Sequence, residues 1–223
     1  LLDVAGPGPT REPVPGNSMI LNPYLWNLLN VKYIVSSQPL YQGVEPAFRS
    51  PSTGLMVYIN QDVLPRAWFV DTVLVEKNKR TILEKLRDGT FNARTTAYVE
   101  DDFAGRTSLG ADPTASARIT GKGNQHLSIA TTSTTSQMLV VSEVYYNEWH
   151  AYVDGVEVPM IKTDFVLRGV NVPAGKHNVE FRFISPSFQQ GRTVSMASNA
   201  AAILIGLAGL GFWYRRRKES PLA

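Results

Sequence analysis

The sequence predicts an α+β chain that is mainly β. A β-sandwich is preceded by a small α/β region and followed by one C-terminal transmembrane helix. Three observations carry this reading. From Ala115 to Phe183, short apolar runs alternate with Gly, Asn, Asp and Pro turn signals at the spacing of an all-β sandwich. Between residues 19 and 100, helical and alternating apolar periods are mixed. From Thr193 to Tyr214 no charged residue occurs, and this stretch ends in Arg215-Arg216-Arg217-Lys218.

Residues 1–18 carry Pro7, Pro9, Pro13, Pro15 and three glycines, a composition that makes a linker rather than a core element. Residues 20–30, ILNPYLWNLLN, predict a short helix starting near Pro23, with Leu25, Trp26, Leu28 and Leu29 on its apolar side. Val31–Val35 alternates as a strand, and Leu55–Asn60 and Ala67–Val75 read as two more around the break at Leu64-Pro65-Arg66. Asn78–Arg87 is helical, because Ile82, Leu83 and Leu86 recur at helical spacing and Asp88-Gly89 ends the run. Thr95–Glu100 is a strand, and residues 101–114 form a polar, Gly-containing loop.

Across residues 115–188 the expected strands are Ala115–Thr120, His126–Thr132, Gln137–Tyr145, Ala151–Val153, Val156–Pro159, Phe165–Val172 and Lys176–Phe183. Asp154-Gly155, set between Val153 and Val156, is a two-residue hairpin signal, since both residues tolerate positive φ. Residues 193–214 would extend about 33 Å as a helix at ~1.5 Å per residue, enough for a hydrocarbon core of about 30 Å. Trp213 and Tyr214 fit an interfacial aromatic belt. The basic run after them places residues 215–223 in the cytoplasm and the bulk of the chain outside, by the positive-inside rule. Ser198, Ala202 and Gly206 recur at four-residue spacing, with Gly209 close to the same face, and Asn199 adds a polar group. Such a stripe lets helices approach closely in a bundle. The chain opens Leu1-Leu2-Asp3, with no secretory leader before a domain expected to be exported. The expectation is therefore the C-terminal piece of a longer or processed membrane protein, whose upstream transmembrane helices are partners of this one.

Composition narrows the function classes. Hydrophobic residues make up 43% of the chain and charged residues 18%, enough apolar material for a core. The net charge of +3 equals the contribution of the four bases and Glu219 in the tail, so the remainder is formally neutral. Without a basic cluster before the tail, nucleic acid is not an expected partner. Cysteine is absent, which removes disulfides, Cys-based zinc sites and thiol nucleophiles. His126, His150 and His177 have no metal-ligand spacing and are expected to be structural or exposed. The acidic run Glu100-Asp101-Asp102 reads as a solvated loop rather than a calcium site. Gly121-x-Gly123 lacks the third Gly of a dinucleotide fingerprint and is better explained by a hairpin. No cofactor or metal is expected, and no residue is assigned as catalytic.

The segment Tyr145-Tyr146-Asn147-Glu148-Trp149-His150-Ala151-Tyr152 sets four aromatics beside Glu148 and His150. Aromatic faces with adjacent polar groups can stack on sugars, and they can equally fill a sandwich core. Tyr146, Trp149, His150 and Arg168 are the candidate ligand contacts.

The run LVVSEVYYNEWHAYVDGVEVPMIKTDFVLRGVNVPAGKHNVEFRFISPSF, Leu139 to Phe188, resembles the end of bacterial YfhO-type membrane proteins. The matching residues are Tyr145, Tyr146, Trp149, Tyr152, Asp154, Gly155, Arg168, Val170, Pro173, Gly175, Lys176, His177, Val179 and Phe181. Leu29–Ile34 and Pro65-Arg66-Ala67 also look like family signatures. Glu148-Trp149 departs from the usual Gly-Trp. The resemblance implies a multi-pass protein similar to GT-C glycosyltransferases, which use a lipid-linked sugar outside the membrane. Some relatives are linked to glycosylation of cell-envelope polymers such as teichoic acids. On this reading the chain is an extracytoplasmic accessory domain and the last helix, and the catalytic carboxylate lies elsewhere. A membrane-anchored carbohydrate-binding module and a purely structural domain remain the alternatives.

Overall fold

The computed structural model describes residues 23–40, 44–88, 92–100 and 110–219, with the side chains of 87 and 216–219 outside that description. The expected linker 1–18, the start of the first helix, Asp101, Asp102, most of the 101–114 loop and the last tail residues lie outside the described residues.

The first compact unit runs to Phe183. It opens with α1 (Pro23–Leu28), β1 (Tyr33–Ser36), β2 (Phe48–Arg49) and β3 (Met56–Ile59). Pro23 begins α1, where its missing N–H costs nothing, and Asn30 follows in the left-handed region at φ 57°, a conformation Asn tolerates after a helix. Next come β4 (Ala67–Val70), β5 (Thr72–Val75), α2 (Lys79–Asp88) and β6 (Thr96–Val99). The remaining strands are β7 (Ser116–Lys122), β8 (His126–Ser133), β9 (Gln137–Val144), β10 (Trp149–Val153), β11 (Val156–Val158), β12 (Ile161–Thr163), β13 (Leu167–Val172) and β14 (Gly175–Phe183).

These strands form three sheets: β1-β3-β2, β11-β10-β14-β8-β7 and β4-β9-β13-β12-β6-β5. The last two make the sandwich. Between them lie Leu127, Ile129, Val179 and Phe181 from one sheet and Leu139, Val141, Val170 and Val172 from the other. The opposite face of the six-stranded sheet is also covered. Val73, Ala97, Val99, Met138 and Leu167 meet Ile82 and Leu86 of α2 there, together with Leu28 of α1. This explains a contrast in sequence pattern. β8 alternates between buried and open positions, because only one of its faces meets the core. β9 is buried at six consecutive positions, and its run QMLVVS scarcely alternates, because both faces of its sheet are covered.

The six-stranded sheet draws β4, β5 and β6 from residues 67–99 and β9, β12 and β13 from residues 137–172. Strands from residues 67–99 and 137–172 therefore share one sheet and contribute to one core. The expected strand 67–75 is split at Asp71 into β4, antiparallel to β9, and β5, parallel to β6. β2 and β12 were not expected. Each is too short, two and three residues, to show a period. The Asp154-Gly155 hairpin forms as expected: Val153 pairs with Val156, with φ values of 50° and 83° at the turn.

The second unit, Ile184–Ala223, is dominated by α3 (Pro186–Glu219). Ser185 Oγ accepts the Phe188 N–H at 3.3 Å and Pro186 occupies the first turn, so cap and proline start the helix before the uncharged stretch begins. Residues Pro186–Arg215 are long and apolar enough to cross a membrane. The hydroxyls of Thr193 and Ser198 donate to the carbonyls of Gln189 and Val194 at 3.0 and 2.9 Å, so neither is left unpaired along an apolar helix. Ser198, Ala202, Gly206 and Gly209 are all exposed on α3.

Candidate functional site

The candidate residues gather where β9, β10 and β13 end. A bulge between Leu167 and Arg168 shifts the register of β13 against β9. Bulges re-aim side chains. Arg168 follows this one and sits against the aromatic residues of the opposite sheet. Its guanidinium lies 4.0 Å from the Trp149 ring centroid and 5.8 Å from that of Phe181. It is only 4% exposed. Its Nε donates to Val144 O at 3.0 Å, whereas Nη1 has no hydrogen-bond partner and Nη2 is 4.0 Å from Glu143 Oε2. Burial pushes the Arg168 pKa down, and the Glu143 charge works against that.

Glu143, near the end of β9, gathers three cations. Its Oε1 accepts from Arg66 Nη1 at 2.6 Å and faces Lys122 Nζ at 3.3 Å. Burial raises its pKa, but the hydrogen bonds and charges of Arg66 and Lys122 outweigh this and hold the carboxyl below its usual range. Around the group lies a recess of about 160 Å³, lined by Arg66, Lys122, His126, Glu143, Trp149 and Arg168 together with neighbouring backbone.

Trp149 also lines a larger, open groove of about 510 Å³, with Tyr145, Asn147, His150, Glu157 and Met160 among its walls. His150 Nδ1 lies 2.7 Å from Glu157 Oε1 across the hairpin. Phe183 braces this side, with its ring 5.5 Å from Trp149 and 6.2 Å from Tyr146.

Of the four predicted contacts, Trp149 and His150 line the groove. Tyr146 is 52% exposed, stacked on Phe183 and outside both linings. Arg168 is not a surface contact: it lies behind Trp149 and lines the smaller recess. Sequence reasoning did not single out Lys122 or Glu143 for this site. Glu143 falls within the strand expected at 137–145 and Lys122 within the turn expected at 121–124, where β7 in fact continues to Lys122, and only the pairing of β4 with β9 and β7 with β8 brings them to Arg66 and Arg168.

Other motif residues are structural. Asp154 accepts from the Asn178 N–H at 2.8 Å and lies 2.6 Å from His177 Nδ1, so this carboxylate ties the hairpin to β14. His177 Nε2 faces Ala174 O at 3.2 Å, and with both ring nitrogens beside acceptors the protonated form is favoured. Glu100, from the acidic run, pairs with Lys79 and Lys162 at 3.2 and 2.5 Å.

Comparison with curated proteins gives no match, and comparison with solved structures gives none either. A family model does match: "Bacterial membrane protein YfhO" covers residues 113–195, from β7 through the first turns of α3. This span contains Trp149, Arg168, Glu143 and the Asp154–His177 tie, and it runs into the helix that is long and apolar enough to cross a membrane. Over this segment the chain is similar to the YfhO family of bacterial membrane proteins.

Proposed function

We propose that this chain is the extracytoplasmic accessory domain and last transmembrane helix of a multi-pass membrane protein similar to lipid-linked-sugar-dependent glycosyltransferases acting on cell-envelope polymers. The sandwich holds a glycan in the groove beside Trp149. The observation that carries this reading is the groove itself. Its volume of about 510 Å³ lies within the ~300–1,000 Å³ of small-molecule sites. An indole and a phenol ring stand there beside the amide of Asn147, the imidazole of His150 and the carboxylate of Glu157. Apolar ring faces suit the C–H faces of a sugar, and those polar groups suit its hydroxyls. Trp149 is held from behind by Arg168 and from the side by Phe183, so little rotamer freedom is lost on binding. No residue of the chain is assigned as catalytic. The stripe Ser198, Ala202, Gly206, Gly209 packs against neighbouring transmembrane helices, and the basic tail faces the cytoplasm.

Glycan binding by the full chain in non-ionic detergent tests the groove. W149A is expected to weaken binding at least tenfold, and equal binding by both proteins overturns the reading. Sidedness has its own test, because the chain lacks cysteine. A Cys at Asn147 is expected to react with a membrane-impermeant maleimide on intact cells, and a Cys at Ser220 only after lysis. The reverse pattern overturns the orientation.

A structural role without glycan binding is the second reading. It is favoured by Arg168, whose ring contacts lock the two sheets together. Absence of binding to any envelope glycan would leave that role standing.

A further inference from the structure

We propose that the smaller recess is an oxyanion subsite that takes a phosphate group, placed to read a phosphate carried by the glycan in the neighbouring groove. The second part rests on the glycan reading above; the anion site itself stands on its own geometry.

The charge balance of the recess is the first argument. Arg66, Lys122 and Arg168 converge there, and Glu143 is the only carboxylate in the lining. Among those four side chains, two positive charges remain unbalanced in a partly enclosed space. Glu143 engages Arg66 and Lys122 through a single oxygen, Oε1, at 2.6 and 3.3 Å. Among the described residues, no other protein acceptor meets the remaining N–H groups of those two side chains in the recess.

Arg168 is the second and stronger argument. It is buried, yet its guanidinium makes one hydrogen bond, from Nε to Val144 O, and Nη1 makes none. The Nη2–Glu143 separation of 4.0 Å is beyond hydrogen-bond length. A buried cation with unfilled donors is costly unless another acceptor completes it. A tetrahedral oxyanion suits the guanidinium, whose planar fork matches phosphate oxygens in a bidentate pair. Stacking on Trp149 fixes the plane of that fork in advance.

Size decides what class of group enters. At about 160 Å³ the recess falls below the ~300 Å³ typical of small-molecule pockets, so it has room for one anionic group rather than an oligosaccharide. Trp149 lines both this recess and the groove. A ligand with a sugar on one side of the indole and a phosphate on the other would occupy both.

Calorimetric titration of the full chain in non-ionic detergent with inorganic phosphate tests the subsite. Saturable binding is expected for the wild-type chain, weakened about tenfold by K122Q through loss of one charge-assisted contact. Lys122 is half-exposed, so this variant keeps the fold. R168K, which keeps the charge but not the fork, is expected to weaken phosphate binding by a similar factor. Glucose 1-phosphate is expected to bind more tightly than inorganic phosphate, and W149A should remove that advantage. Absence of saturable phosphate binding, or binding unchanged in K122Q, overturns the subsite. Phosphate binding that responds to K122Q, with no advantage for the sugar phosphate, overturns the joint reading and keeps a free-anion site. Neutral-glycan binding without phosphate binding sinks the subsite alone.

Discussion

Asp164 offers the sharpest test of the fold's energetics. It sits in the turn between β12 and β13, buried to 1% exposure and in the left-handed region at φ 46°. Its Oδ1 accepts the Tyr98 N–H at 2.8 Å, and its own N–H returns to Tyr98 O at 2.8 Å, closing a two-way tie to β6. Oδ2 has no partner. Burial outweighs the one favourable hydrogen bond and pushes the carboxyl from its ordinary 3.8 up to about 7. The folded state thus holds a proton that the unfolded state has released between those two values. Stability is full below pH 3.8 and falls by about 1.4 kcal/mol per pH unit until pH 7 is passed, a total of about 4 kcal/mol. Asn at this position mimics the protonated acid and keeps the acceptor for Tyr98. Urea unfolding of the full chain in non-ionic detergent, followed by near-ultraviolet circular dichroism at pH 4 to 8, compares the two. The stability of D164N relative to wild type is expected to rise by about 4 kcal/mol across that range, because other titrations cancel in the difference. Parallel curves for the two proteins would refute the reasoning.

His177 is raised above its ordinary 6.5 by the Asp154 and Ala174 contacts, so its contribution to stability is present below that value and lost as pH rises through the folded pKa. A proton NMR titration should place its midpoint above 6.5, and D154N should return it toward 6.5; an unchanged midpoint in D154N contradicts the pairing. G169A should cost about 1–3 kcal/mol by overpacking, because a Cβ there would lie 2.6 Å from Thr163 Cγ2 and 2.9 Å from Met138 Sδ, both buried. A urea midpoint within error of wild type would contradict that crowding. W149F keeps an apolar ring over Arg168 but with a weaker face, and should cost about 0.5–2 kcal/mol in the same assay. No loss would mean the stack contributes little.

Local signals in the sequence located most of the fold. The Asp154-Gly155 turn was readable because positive φ is tied to residue type, and the strands of residues 115–183 were bounded by similar punctuation. The helix α2 followed from the spacing of Ile82 and Leu86. What could not be read was which distant segments share a sheet. The pairing of Ala67 with Val141 depends on burying both faces of β9, and nothing near Ala67 announces it. The site suffered the same limit. Trp149 stood out within an aromatic cluster, but Glu143 and Lys122 acquire meaning only once β7, β8 and β9 are assembled. Asp164 stands just before the strand expected at 165–172, and the sequence around it gives no sign that its carboxyl is enclosed.

The six-stranded sheet has a consequence for the order of events in biosynthesis. β9, β13 and β12 lie between β4 on one side and the β6-β5 pair on the other, and β4, β5 and β6 are made first. Those three strands and the amphipathic α2 must therefore wait, with apolar faces uncovered, until residues 137–172 have emerged. Folding of this unit is then a late, long-range event rather than a progressive one, since non-local pairings must close before they stabilise anything. A ribosome that stalls between β6 and β9 leaves a product with open sheet edges and without the sandwich core, a substrate for aggregation or for proteases. Quality control of this protein is in effect a check that its C-terminal strands were made.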